Sequence, residues 1–501
     1  MARDEWGDFQ TPFDLTQQII EIFRHQNWKR ILEPTCGVGN FLKSSTILGD
    51  HIQRQGIEVN SAYVAKARSA GFDVRQGNIF HMKLNTELIW QQKGSLLVIG
   101  NPPWITNSQL GMLGSMNLPT KSNIKGFDGF SAITGSSNFD IAEFIFLKLM
   151  IELEHEKPTI ALLVKTQVAR NILLYAEQSN LHYSGYEIRL IDAKKHFNVS
   201  VDACLFVAQY DENPKYECDV YPDIISEKPI KQMISINGKL ISDTAKYKLA
   251  KQIDGVSPLE WRSGIKHDAA KVMEVNLDTV RRYELEDKYV YPLLKCSDIF
   301  CGRLQPNKYV IVTQQKLGED TRHLKYDAPK LWIYLMENSK ILDGRKSKLY
   351  NKQPRFSMFG IGDYAFAPFK IAVSGLHKSA RFALLGSFEG YPVLVDDASY
   401  ILSFDDSHNA ALCYALLSSK IVSDMLQAIV FTDSKRPITK KVLQRIDLRS
   451  VVESSSFRDI IPFANHSLYS IGEQLSRPWE TVISSLMMEW DAKPTLNFAN
   501  S

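Results

Sequence analysis

Apolar and polar positions along the chain follow two rhythms. Between residues 13 and 23 the side chains of Phe13, Leu15, Ile19, Ile20, Ile22 and Phe23 recur at helical spacing, which predicts an amphipathic helix with Thr11 as N-cap and Pro12 at its first position. Leu96-Leu97-Val98-Ile99 breaks that rhythm with four bulky apolar residues in a row, the pattern of a strand covered on both faces inside a parallel sheet. The segments 30–33, 55–60, 73–80, 159–164, 188–192 and 203–208 read as further strands or strand tips, separated by helical stretches. Alternating strand and helix predict an α/β fold built on a central, mostly parallel, Rossmann-like sheet.

Residues 106–137 are rich in Gly, Ser and Asn and lack periodicity, so they are expected to form a lid that orders on substrate. A strongly apolar helix follows, with Ser137 or Asn138 as its cap. From 211 to 239 the texture turns charged and Pro-containing without clear core strands, and the join between two domains is expected there. The boundaries are therefore placed at 1–235 for a catalytic domain and 236–501 for an α+β second domain, with packing helices at 410–430 and 479–490.

Composition narrows the class. At 501 residues with 44% hydrophobic and 11% aromatic content, the chain has material for two or three sizeable cores. A formal net charge of +3 is small for this length, so any nucleic-acid surface must be a local basic face. The 6 cysteines form no CxxC pair, which argues against a zinc site or a disulfide framework and fits a reducing cytoplasm. No apolar leader opens the chain and no long apolar run interrupts it, so neither export nor a membrane partner is expected.

The chemistry concentrates where the apolar run 96–99 ends. In Gly100-Asn101-Pro102-Pro103-Trp104 the two prolines stop the strand and stiffen its tip, presenting Asn101 and Trp104 at the carboxyl edge where α/β sheets bind ligands. A carboxamide, the Pro102 carbonyl and an indole face suit a flat heterocycle with an exocyclic amine. Two acceptors drawing on the amine hydrogens would localise its lone pair and aim it at an electrophile. Upstream, Glu33-Pro34-Thr35-Cys36-Gly37-Val38-Gly39 is a strand, a glycine turn and a helix start. It is not GxGxxG, so it suits a ligand smaller than a dinucleotide. Glu58 ends the second strand where carboxylates grip ribose hydroxyls, and Asn78-Ile79 follow the third.

Taken together, Thr11-Pro12, the Glu33 to Gly39 turn, Glu58, Asn78-Ile79 and Asn101-Pro102-Pro103-Trp104 resemble the S-adenosylmethionine-dependent DNA adenine-N6 methyltransferases. The likeness is to the gamma-type group of restriction-modification systems, whose cofactor motifs precede the catalytic tetrapeptide and whose target recognition domain is C-terminal. The resemblance implies a class I methyltransferase fold with S-adenosyl-L-methionine as cofactor. Thr11, Pro12, Glu33, Pro34, Cys36, Gly37 and Gly39 would hold its methionine portion, Glu58 its ribose, and Asn78 and Ile79 its adenine. Asn101, Pro102 and Pro103 would form the catalytic corner, and Trp104 would stack on a flipped-out target base with Phe197 on its other face. The family usually has Asp where Asn78 stands, and recognition of an amine by Asn78 requires its oxygen turned inward. Transfer from an already activated sulfonium calls for no metal.

The second half carries Gly264-Ile265-Lys266-His267-Asp268, Tyr291-Pro292-Leu293-Leu294-Lys295, residues 354–364 and residues 431–441, which look like segments of recognition domains in the same group. Basic residues interleaved with Ser, Thr and aromatics suit contact with double-stranded DNA. Lys435, Arg436, Lys440 and Lys441, with Lys121 and Lys125 of the lid, are the expected DNA-binding residues. Cytosine-N4 methylation uses the same amine activation and is the nearest alternative, followed by an RNA or protein amino-methyltransferase and a DNA-binding protein with an inactive site. No Pro-Cys dipeptide exists for cytosine-C5 chemistry. With ten residues ahead of Thr11, no fused nuclease is expected, which leaves room for a separately encoded restriction endonuclease as partner.

Overall fold

The computed structural model describes residues 10–105 and 140–492. They fall into two compact units, Met1–Ala245 and Lys246–Ser501.

Unit 1 is built on one ten-stranded sheet. Its elements are α1 (Phe13–Ile22), β1 (Arg30–Glu33), α2 (Asn40–Ser44), β2 (Gln53–Glu58), α3 (Ser61–Ser69), β3 (Asp73–Gln76), α4 (Leu84–Glu87), β4 (Leu96–Gly100), α5 (Ile141–Glu152), β5 (Thr159–Lys165), α6 (Thr166–Gln178), β6 (Tyr183–Ile191), α7 (Ala193–Phe197), β7 (Ala203–Tyr210), β8 (Glu217–Tyr221), β9 (Lys231–Ile236) and β10 (Lys239–Ile241). The strand order is β10-β9-β8-β6-β7-β5-β4-β1-β2-β3. The five strands β3, β2, β1, β4 and β5 pair in parallel, and β7 is inserted antiparallel between β5 and β6. Every residue of β1 and β4 is buried, as the unbroken apolar run in β4 predicts.

β1 pairs with β2 on one side and β4 on the other, so the sheet changes its direction of winding at β1. This is the place where the loops at the carboxyl ends part and leave a crevice. Close approach there depends on Gly56 in β2: a Cβ at that position would lie 2.8 Å from the Cys36 sulfur and 3.1 Å from a Val74 methyl.

Three local expectations are corrected. Helix α1 begins at Phe13, with Pro12 outside it and no side-chain cap, because Thr11 is turned instead toward the site described below. The cap of α5 is Asp140, whose Oδ1 accepts the Ala142 N–H at 3.1 Å while Oδ2 pairs with Lys165 Nζ at 2.6 Å. The segment 211–239 is not a bare join: β8 pairs with β6, β9 with β8 and β10 with β9, so the ten-stranded sheet continues past 235. Its strands escaped notice because only alternate residues are covered, as in β9, where Met233 and Ser235 are buried beside exposed or half-buried neighbours.

Unit 2 contains two four-stranded sheets. One has the order β11 (Arg262–Ser263), β18 (Ser399–Phe404), β15 (Phe369–Ser374), β16 (Phe382–Leu385). The other runs β12 (Glu274–Val275), β14 (Lys308–Ile311), β13 (Val290–Leu294), β17 (Leu394–Val395). The segments around Gly264 and Gly360 cross at backbone contact. Lys266 and Phe359 exchange two N–H···O bonds of 2.8 Å, and a Cβ on Gly360 would lie 2.1 Å from the Gly264 carbonyl oxygen. Beside this crossing, Lys295 Nζ bridges Glu274 (2.7 Å) and Asp396 (3.4 Å), and His267 Nε2 lies 3.5 Å from Glu274. Among the described residues no single helix is long and apolar enough to cross a membrane.

Two predictions follow from unit 2. A Cβ on Gly264 would sit 2.2 Å from the Asp396 carbonyl oxygen, and backbone cannot yield, so Gly264→Ala should destabilise the unit by on the order of 3 kcal/mol in denaturant unfolding. The hydrogen bond from His267 and the ion pair with Lys295 hold the Glu274 carboxyl down at about 2. A depressed carboxylate gives stability that is complete above its unfolded value of about 4.3 and vanishes as pH falls through the folded one. Thermal melts should therefore show Glu274→Gln less stable than wild type at neutral pH, with the difference closing as the pH is lowered toward about 2.

Candidate active site

The carboxyl ends of β1, β2, β3 and β4 surround one cavity of about 900 Å3, part of it open to solvent. Thr11, Glu33, Pro34, Cys36, Gly37, Glu58, Asn78, Ile79, Asn101 and Pro103 all line it. Of the other residues expected at the site, Pro12, Gly39, Pro102 and Trp104 lie outside its wall. Gly39 acts behind it: its φ of +85° suits glycine, and its amide closes the turn on the Cys36 carbonyl at 2.8 Å.

The glycine turn and the β2 tip are locked together through one carboxylate. Glu58 Oε2 accepts the Gly37 N–H and Oε1 accepts the Asn60 N–H, both at 2.8 Å. A carboxylate oxygen can accept from more than one donor, which suits a pair of hydroxyls. Gly37 has a φ of +52°, and a Cβ there would lie 2.6 Å from Gln10 Oε1, so only glycine leaves the backbone this close to the pocket. Glu33 is 3% exposed, and its Oε2 accepts the Leu42 N–H at 3.1 Å. Burial pushes its carboxyl well above the usual range, and the nearby Glu58 adds to the shift. Burial likewise pushes the Cys36 thiol up, so it packs against Gly56 as a small apolar group and is no nucleophile.

On the other side, Asn101 Nδ2 donates to Thr11 Oγ1 at 3.2 Å, while Asn40 Nδ2 donates to the Thr11 carbonyl at 2.8 Å. Thr11 thus ties the segment before α1 to the tips of β1 and β4. With the amide nitrogen on Thr11, the oxygen is the accepting end of Asn101. Asn78 lines the pocket, and its Oδ1 accepts the Phe80 N–H at 3.0 Å, so the amide that was expected to read a ligand edge also shapes its own turn.

Trp104 is buried, with Nε1 donating to the Leu163 carbonyl at 3.0 Å. Its ring meets Phe197 edge-to-face, centroids 5.1 Å apart at 71°. The structure therefore brings the two expected stacking residues together as a T-shaped pair and not as parallel walls of a slot. Sequence reasoning missed Gln10, Asn40 and Tyr63 in the cavity wall. Phe80 follows the expected Asn78-Ile79 pair into the wall, and Ile141 and Ile145, four residues apart on one face of α5, bring the start of that helix to it.

In unit 2, Lys435 and Lys441 are exposed. Lys440 is paired with Glu260 at 2.9 Å and Arg436 with the Asp397 carboxylate at 3.8 Å, so two of the four cations in that cluster face a carboxylate of their own unit. Lys121, Lys125 and the expected lid lie outside the described residues.

No protein-family model matches the sequence. The type II methyltransferase M.NspV of Nostoc sp. (strain ATCC 29411 / PCC 7524) is 39% identical over 464 residues, covering 89% of this chain and 96% of its own. Among solved structures, the type IIL restriction-modification enzyme MmeI, determined in complex with DNA, superposes on 96% of this chain and 75% of its own with a TM-score of 0.55 at 11% identity, a likeness of fold. With 39% identity spanning nearly the whole of both sequences, the chain belongs to the type II methyltransferases, the S-adenosylmethionine-dependent DNA methyltransferases of restriction-modification systems.

Proposed function

We propose that this enzyme methylates the N6 amine of an adenine flipped out of duplex DNA, with Asn101 and Pro102 as acceptors for the amine and unit 2 as the target recognition domain. One observation carries the reading: a carboxamide hydrogen-bonded to Thr11 shares a single cavity with the Glu33 to Gly37 turn and the Glu58 carboxylate. The residues fit the cofactor. Glu58, fixed by two backbone N–H groups, offers acceptors for a pair of ribose hydroxyls, Ile79 and Phe80 offer faces for a flat ring, and the Gly37 backbone admits the methionine portion. Glu33 would meet the cationic ammonium, which draws a buried carboxyl back to its ionised form.

When bound, S-adenosylmethionine supplies an electrophilic methyl group. The chain's own residues prepare the nucleophile. An aromatic amine is weak because its lone pair is delocalised into the ring; the Asn101 oxygen and the Pro102 carbonyl accept its two hydrogens and favour the tetrahedral nitrogen that forms as methyl arrives. The new N–CH3 bond would take the nitrogen lone pair as the methyl–sulfur bond returns its electron pair to sulfur, leaving a neutral thioether, and an amine proton then departs to water. Flipping costs a few kcal/mol of lost stacking and pairing, which a base stacked on Trp104 recovers by about 1–3 kcal/mol. Phe197 must leave its edge-to-face contact if it is to cover the second face.

Two substitutions separate the roles. Asn101→Ala should lower kcat by about 2–4 kcal/mol of transition-state stabilisation while cofactor affinity, read by calorimetry, stays within a few-fold. Glu58→Ala should do the reverse, raising the cofactor Kd by about 10- to 100-fold for the loss of hydrogen bonds to a charged acceptor, with kcat at saturating cofactor nearly unchanged. The same pattern for both variants would contradict the assignment.

A further inference from the structure

The hairpin joining β15 to β16 ends in Gly375-Leu376-His377-Lys378-Ser379-Ala380-Arg381, a tip with three basic side chains and no carboxylate. β16 is the edge strand of its sheet. The side chains at this tip are ordered against one ring. His377 stacks face-to-face on Phe300, centroids 3.8 Å apart at 6°, and the Arg381 guanidinium carbon lies 4.8 Å from the centre of the same ring. His377 Nδ1 is held 2.7 Å from Ser374 Oγ. Phe300 itself is fixed on the helix Cys296–Cys301, which packs on β15.

Arg381 and Lys378 are exposed, and no carboxylate among the described residues forms an ion pair with either. A free arginine side chain carries about 2 kcal/mol of rotamer entropy, so seating it on an aromatic ring is a cost met before any partner arrives. What it gains is a guanidinium held beside Phe300 while the residue stays exposed on the tip. A planar fork is matched by a planar pair of acceptors, and a two-stranded β ribbon is an element that the DNA major groove admits.

We propose that Arg381, positioned by Phe300 and His377, reads the O6/N7 edge of a guanine in the recognition sequence from the major groove, making the β15–β16 tip a specificity element. This rests on unit 2 carrying the target recognition surface. A fork of this kind also fits a phosphate, and the two contacts behave differently: a base contact sets preference at one position, whereas a phosphate contact weakens binding alike for all sequences and lowers the salt slope by about 1.

The test uses the full chain with Arg381→Gln, Arg381→Lys and Phe300→Leu. Methylated positions are mapped by single-molecule sequencing of DNA from expressing cells, and kcat/KM is measured on the wild-type site and on duplexes altered at each position. Arg381→Gln should cost about 5- to 150-fold on the wild-type site, the equivalent of one bidentate base contact, and lose discrimination at one G·C pair alone. Arg381→Lys should be nearly as impaired, since a point charge lacks the fork, and Phe300→Leu should fall between. Should Phe300→Leu fold poorly by thermal melt, the two variants of the exposed Arg381 decide the matter. An Arg381→Gln enzyme that keeps the wild-type site at unchanged efficiency overturns the proposal, as does a uniform loss with a smaller salt slope. Wild type that methylates no duplex overturns both this inference and the reading on which it rests.

Discussion

The parallel pairing of β1 with β2 on one side and β4 on the other is what everything else in unit 1 depends on. It places the Glu33 to Gly39 turn between the tips of its two neighbours, so Glu58 approaches from one side and Asn101 from the other. Both are then clamped by main-chain or main-chain-adjacent groups: Glu58 by the Gly37 and Asn60 amides, Asn101 by Thr11, which is itself held by Asn40. Groups fixed in this way before a ligand arrives spend little of the binding energy on their own ordering. Tight approach is the condition: Gly37 holds a φ of +52°, which favours glycine, and a Cβ on Gly56 would press on the Cys36 sulfur at 2.8 Å.

Much of this was legible in the amino-acid sequence because it is written in local signals. The short apolar run 96–99 reads as a strand buried on both faces because the two prolines after Asn101 cut it off before a helix could form. Ten of the residues expected around the cofactor or the amine fall in one cavity. What escaped has a common physical cause, which is that tertiary contacts overrode local preference. Thr11 has the chemistry of a helix cap but is taken by Asn101; Pro12 then marks the helix boundary without a cap. Asn78 supports its own turn as well as facing the pocket. The strands from 217 to 241 lie toward the edge of the sheet, where one face is wet and the apolar pattern is thin. The Trp104–Phe197 geometry had no sequence signal, since two aromatics 93 residues apart say nothing about the angle between their rings.

In unit 2 the recognised segments were informative in a different way. Gly264, Lys295 and Gly360 stood out in segments read as suited to DNA contact, and the structure gives them a role inside the unit: a backbone crossing that tolerates no Cβ and a cluster of Lys295, Glu274, Asp396 and His267 beside it. These residues build the scaffold. In the basic run at 435–441, expected as a DNA surface, Lys440 and Arg436 are paired with Glu260 and Asp397. The hairpin tip near Arg381 attracted no notice, because a cation's orientation, unlike its presence, cannot be counted in a sequence.

The central claim is that Asn101 and Pro102 prepare an adenine amine to take a methyl group. Incubating the protein with duplex DNA and cofactor bearing a deuterated methyl, then digesting to nucleosides for mass spectrometry, tests it most directly. The account predicts labelled N6-methyldeoxyadenosine as the methylated nucleoside. Label appearing instead as N4-methyldeoxycytidine, or in no nucleoside at all, would contradict it.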